Sequence, residues 1–166
     1  MSKQYRTIGL LAIVALVVAF AAYAYTAPYE RFPGIVIGGE LTPPPDDWRT
    51  VNDPGVSLLK LGGFPPFVIK IVHSADEGGI ITATRPDGGY WAQRLRSSDD
   101  AHGWIRVGDR TYALNAREIV GDARTPYLES YGGKNGMSMG HDFTGEIIPG
   151  QNEPLHTWEV FYWTAR

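Results

Sequence analysis

The chain has 166 residues, 43% hydrophobic and 20% charged, with 15 basic against 18 acidic side chains and no cysteine. That length fits one domain, and the missing thiols exclude disulfides, thiolate catalysis, iron–sulfur clusters and cysteine-ligated zinc. The average hides two unlike parts, because no charged residue stands between Arg6 and Glu30 while the rest of the chain is polar and acidic.

Residues 1–7 precede the run Ile8 to Ala27, which is apolar, alanine or aromatic apart from Gly9 and Thr26. As a helix rising about 1.5 Å per residue, such a run spans about 30 Å, the thickness of a bilayer core. Residues 8–27 are therefore expected to form one transmembrane helix. Lys3 and Arg6 lie before it, so the positive-inside bias places the N-terminus in the cytoplasm and the remainder outside, which in a bacterium means an inner-membrane anchor and a periplasmic domain. Tyr23, Tyr25 and Tyr29 stand at the far end, where amphipathic rings favour the lipid–water boundary. Ala22-Tyr23-Ala24 also fits a small-x-small cleavage site. The run exceeds the usual apolar core of a signal peptide, roughly 7–15 residues, which favours a retained anchor. Without residues 1–27 the count is 13 basic against 18 acidic, a net charge of −5. That balance argues against nucleic acid and against anionic lipid headgroups as partners.

Tyr29 to Gly39 is an approach segment, and Leu41-Thr-Pro-Pro-Pro-Asp-Asp47 is stiffened by prolines that fix φ, so residues 28–55 read as an extended proline-rich linker that either spaces or wraps the domain. Strand signals then dominate residues 56–166. Val56 to Leu61, Phe67 to His73, Gly79 to Thr84, Trp104 to Val107, Arg110 to Val120 and Trp158 to Thr164 are β-branched and aromatic runs bounded by turn residues. Gly62-Gly63-Phe64-Pro65-Pro66, Asp87-Gly88-Gly89 and Gly108-Asp109 supply the reversals. Helices are expected over Tyr90 to Ser97 and Thr125 to Tyr131, the second closed by Gly132-Gly133. In the last strand Val160 and Tyr162 face one side and Phe161 and Trp163 the other, so it lies between two layers or meets another protein. The expected fold is mainly β (α+β), a small antiparallel barrel or sandwich preceded by one transmembrane helix.

The stretch Ile80-Ile-Thr-Ala-Thr-Arg-Pro-Asp-Gly-Gly-Tyr-Trp-Ala-Gln-Arg-Leu-Arg96, followed by the hairpin from Gly103 to Ile119, resembles the split β-barrel family of flavin- and deazaflavin-dependent nitroreductases and pyridoxamine-phosphate-oxidase-like proteins. Leu128-Glu-Ser-Tyr-Gly-Gly133 and the segment Trp158 to Arg166 resemble that family's later helix and closing strand, and the resemblance extends over residues 38 to 166. It implies a split barrel of about six strands with one or two short helices, commonly dimeric, with FMN or a deazaflavin in a groove. Carried onto this chain, Thr82, Thr84, Arg85, Arg94 and Arg96 would hold phosphate through charge-assisted bonds, and Trp91 would flank the ring. The chain departs from the family at His73-Ser-Ala-Asp-Glu-Gly-Gly79, where two carboxylates stand in place of the basic loop of deazaflavin-binding members. Such a loop would repel an anionic ligand. The residues alone favour no cofactor.

Other groupings are sparser. Met137, Met139 and His141 alternate, and thioether plus imidazole suits copper(I). His73-Ser74-Ala75-Asp76 contains triad residue types but no nucleophile elbow, and reads as a turn. Gly132-Gly-Lys134-Asn-Gly136 lacks the spacing of a phosphate loop and reads as a helix terminator. His102 and His156 stand alone, and Trp91 and Trp104 bracket the expected groove. Two functions follow: an accessory or assembly subunit on an integral membrane protein complex, or as a homodimer, with a degenerate cofactor groove; and an FMN- or deazaflavin-dependent oxidoreductase. Copper handling is a third.

Overall fold

The computed structural model describes residues 3–26, 33–52, 56–86, 89–137 and 155–166. The apolar run forms α1 (Lys3–Thr26), and its large side chains from Ile8 to Phe20 are exposed on every face. Water disfavours a helix that is apolar all round. This one is long and apolar enough to be a membrane anchor or a signal sequence.

The remaining described residues build a mainly antiparallel sheet of eight strands: β1 (Glu40–Leu41), β2 (Ser57–Leu61), β3 (Phe67–Ile71), β4 (Ser74–Ala75), β5 (Ile80–Thr84), β6 (His102–Val107), β7 (Arg110–Ile119) and β8 (Glu159–Ala165). Their order is β3-β2-β6-β7-β8-β5-β4, with β1 pairing in parallel on β7. The connectivity forces this sheet to curl. Laid flat, its first and last strands would stand about 29 Å apart at a spacing of about 4.8 Å. Yet β3 and β4 are joined by Val72 and His73 alone, and three Cα steps span at most about 11 Å. The two ends are thus drawn together into a half-barrel. The six expected strand runs correspond to β2, β3, β5, β6, β7 and β8; the two additional strands have two residues each.

Alternation sorts the side chains between two cores. Leu59 and Leu61 of β2, Ile105 and Val107 of β6, Tyr112 and Leu114 of β7, and Phe161 and Trp163 of β8 point into the hollow. There they meet Trp91, Ala92 and Leu95 from one face of α2 (Tyr90–Arg96), which plugs it. Trp48 and Val51, from a 3-10 turn capped by the Asp47 carboxylate on Arg49 N, close the same core. On the opposite side Ile81, Ile119 and Val160 pack with Leu128 and Tyr131 of α3 (Thr125–Asn135). The two apolar faces of β8 are therefore both covered within the chain, by the hollow and by α3.

Two local features depart from the sequence reading. The helix α3 does not close at Gly132-Gly133 but runs on to Asn135, and Gly136 is its left-handed cap at φ 69°. Gly132 is a packing position, because a methyl there would stand 2.8 Å from the Met137 carbonyl oxygen and 2.6 Å from Leu155 Cδ2. The strand expected from Phe67 to His73 stops at Ile71, because His73 is turned inward and fully buried. The described residues from Gly34 to Leu41 lie against the barrel. Gly34 bridges Val68 on β3, the Ile37 carbonyl accepts from Arg106 Nη1 on β6 at 3.1 Å, and Glu40 pairs with Arg110 on β7. They form a strap across the outer face.

Candidate functional site

A cleft of about 350 Å³ opens where the half-barrel fails to close. Its cause is the shortness of β4, which pairs with β5 only at Ile80 and Ile81, so that no described strand fills the gap between Ala83–Arg85 and Lys70–Val72. Trp91 from α2, Tyr131 from α3 and Trp158 ahead of β8 supply aromatic walls, and Thr84, Arg85 and Lys70 supply the polar ones. Cations and a hydroxyl beside aromatic faces suit a ligand with an anionic group and a planar or apolar body.

Of the six residues carried over from the family pattern, three line this cleft: Thr84, Arg85 and Trp91. The others are engaged elsewhere. Thr82 is buried, and its Oγ1 accepts a 2.9 Å bond from Trp163 Nε1 inside the hollow. Arg94 reaches the loop between β2 and β3, donating from Nη2 to the Gly62 carbonyl at 2.8 Å, while its buried Nη1 has no partner among the described residues. Arg96 is held by two carboxylates, with Nε on Glu118 Oε2 and Nη2 on Glu159 Oε1, each at 2.9 Å, and a second bond to Glu118 Oε1. Those bonds, Glu118 first, raise its affinity for its proton further. The ring of Trp91 stands 5.0 Å from that of Phe161, so its other face belongs to the core.

The expected bracketing of the groove by Trp91 and Trp104 is half of what the structure shows. Trp104 lies on the outer face of β6, beneath the Lys60 ammonium at 5.2 Å and edge-on to His102. Lys70, Tyr131 and Trp158 had no sequence signal tying them to the cleft, because they come from three separate elements. Met137 is buried in the outer core beside α3, whereas Met139 and His141 lie outside the described residues.

The acidic loop is not aimed at the cleft. Asp76 Oδ1 accepts from the backbone N–H groups of Gly78 and Gly79, each at 2.9 Å, and from Tyr162 Oη at 2.7 Å. That is the work of a turn residue, satisfying its own loop. Burial, and then the Asp76 carboxylate, push the Tyr162 phenol well above its ordinary value. Ahead of the loop, His73 is a buried polar bolt. Its Nδ1 meets Ser57 Oγ and its Nε2 meets the Val51 carbonyl oxygen, both at 2.8 Å. Each ring nitrogen thus has a polar partner, as a fully buried imidazole requires. Lys134 Nζ stands 3.2 Å from Nε2, and Asn135 Nδ2 donates to the His73 carbonyl at 3.3 Å. Ser57 is itself buried, so this pair fastens α3 and the Trp48–Val51 turn to the sheet rather than presenting a nucleophile. No protein-family model matches the chain, and no curated protein is significantly similar to it.

Proposed function

We propose that this protein is an accessory or assembly subunit of a membrane protein complex, anchored in a bacterial inner membrane by α1 with its half-barrel on the periplasmic side. The observation that carries the reading is the junction of anchor and barrel. The Ala24 carbonyl of α1 accepts from Ile35 N and Val36 N at 3.2 and 3.3 Å, Ala24 is only 5% exposed, and a methyl at Gly38 would stand 3.4 Å from the Tyr25 ring. A signal peptide destined for removal has no need of such contacts. They suit a domain held at the bilayer surface against a neighbour in the membrane, with the seam cleft as its remnant ligand groove. The test is isolation of the protein from its native membrane in mild detergent. The expected product is a colourless, uncleaved chain in stoichiometric complex with an integral membrane protein. An intact mass lacking residues 1–24, or a chain that runs alone, overturns the reading.

A second reading has its own support, the convergence of Thr84, Arg85 and Trp91 on one cleft with Trp158 opposite. On it the protein is an FMN- or deazaflavin-dependent oxidoreductase whose phosphate is held by Thr84 and Arg85, and whose ring lies on Trp91. Titration with FMN, followed by quenching of tryptophan fluorescence, separates the two. Saturable quenching that is lost in Arg85→Ala favours the enzyme, and its absence favours the accessory subunit.

A further inference from the structure

We infer that the outer face of β3, β2 and β6, together with the tip of the β2–β3 hairpin, rests on the surface of the bilayer that holds α1. The inference builds on α1 being a retained anchor. Register and alternation define the face, since Leu58 pairs with Lys70 and Arg106, and Lys60 pairs with Val68 and Trp104. Its seven outward positions are therefore Leu58, Lys60, Val68, Lys70, His102, Trp104 and Arg106. None is a carboxylate, and the acidic groups nearest them, Asp109 on Arg106 and Asp100 on His102, stand at the rim, so the net charge of −5 misdescribes the middle of this face.

The strap places this face beside the anchor. It starts on β3 at Gly34, crosses to β6 at Arg106, and on its outer side carries the last turn of α1 through Ile35 and Val36. Leu58 and Val68, apolar positions on an outward face, are buried there. Because the apolar span of α1 ends at Tyr25, residues packed around Ala24 and Tyr25 stand at headgroup depth. Lys60 and Lys70 flank the strap, and the Trp104 indole lies beneath Lys60. Lysine stems that snorkel and an indole at the boundary are the side chains that interfaces favour. Beyond Leu61 the hairpin ends in Gly62-Gly63-Phe64-Pro65-Pro66, and Phe64 is 91% exposed. An aromatic ring so exposed on a proline-stiffened tip gains by entering the interface. Lysines close to the surface add attraction for anionic lipid.

The absence of cysteine makes the test clean, since single labels can be placed at will. The full chain in nanodiscs of mixed phosphatidylcholine and phosphatidylglycerol would carry a nitroxide at Phe64→Cys, at Asp122→Cys in the turn before α3, or at Val14→Cys in α1. Collision with oxygen against collision with a water-soluble nickel chelate reads depth. Labels at 14 and 64 are expected to favour oxygen, and the label at 122 to favour nickel. Lys60→Glu with Lys70→Glu should move the label at 64 toward water without moving the label at 14. If 14 reads lipid while 64 matches 122, the docked face is wrong and the anchor stands. If 14 itself reads water, both fall.

Discussion

Arg96 and Glu118 form a two-bond ion pair across the gap between α2 and β7, and Glu159 of β8 completes it from the other side of the guanidinium. One arginine thus ties the plug helix to two strands while covering the Phe161 ring, 5.6 Å below. Its removal would leave two carboxylates facing each other, one of which already has a buried oxygen, Oε2 of Glu159, without a partner among the described residues. Arg96→Ala is expected to cost about 1–3 kcal/mol, read from urea unfolding of the full chain in detergent. Because Arg96 is absent from the cleft lining, ligand binding there should be unchanged. A variant that binds more weakly but unfolds normally would return Arg96 to the site.

The polar bolt predicts a sharper loss. His73→Ala removes partners from both the Ser57 hydroxyl and the Val51 carbonyl and opens a cavity where the ring is fully buried. The cost is expected to be about 2–4 kcal/mol. Ser57→Ala leaves Nδ1 without its partner but opens little space, and should cost about 1 kcal/mol. The order of the two melting temperatures checks the assignment, and Ser57→Ala falling below His73→Ala would contradict it.

Two tyrosines set an alkaline limit. Burial raises the Tyr131 phenol, and burial with the Asp76 carboxylate raises that of Tyr162, both well above the ordinary value near 10. Once pH exceeds that value the unfolded chain loses these protons while the folded one keeps them, so stability falls as pH rises. Their contribution is fully present below pH 10, and the decline begins above it. Tyr131→Phe with Tyr162→Phe should flatten the slope of unfolding free energy against pH in that range. An equal slope in the double variant would place the alkaline transition elsewhere.

Much of the barrel was legible because strand signals are local. Phe67–Ile71 and Ile80–Thr84 are β-branched runs bounded by turn residues, and their alternation fixes which side chains face inward. What escaped were features set by distant partners. Glu40–Leu41 pairs only because the strap brings it to β7, and β4 forms only because buried His73 turns the chain. The site followed the same rule. Thr84, Arg85 and Trp91 lie close in sequence and reach one cleft, whereas Lys70, Tyr131 and Trp158 join them through topology. Arg94 and Arg96 carry the charge a phosphate site wants, but no local pattern reveals that Gly62, Glu118 and Glu159 occupy them.

The junction between α1 and the barrel turns on Gly38. Its φ of +63° suits glycine, and a methyl there would stand 2.8 Å from Arg106 Nη1, the atom that binds the Ile37 carbonyl, as well as against Tyr25. Gly38→Ala therefore carries a backbone strain of about 1 kcal/mol and also pushes Arg106 away from the strap. Gly108, at φ +57° in the β6–β7 turn, provides the control, since a methyl there would meet nothing within 4 Å. Both substitutions carry a similar backbone strain, but only Gly38→Ala should loosen the strap. A nitroxide at the exposed Val36, read in the full chain, would report it as a narrowed, more mobile spectrum in the Gly38 variant and an unchanged one in the Gly108 variant. Equal mobility in the two would mean that the hold of α1 on the barrel depends on backbone stability alone, and not on the contact of Arg106 and Tyr25 with the strap.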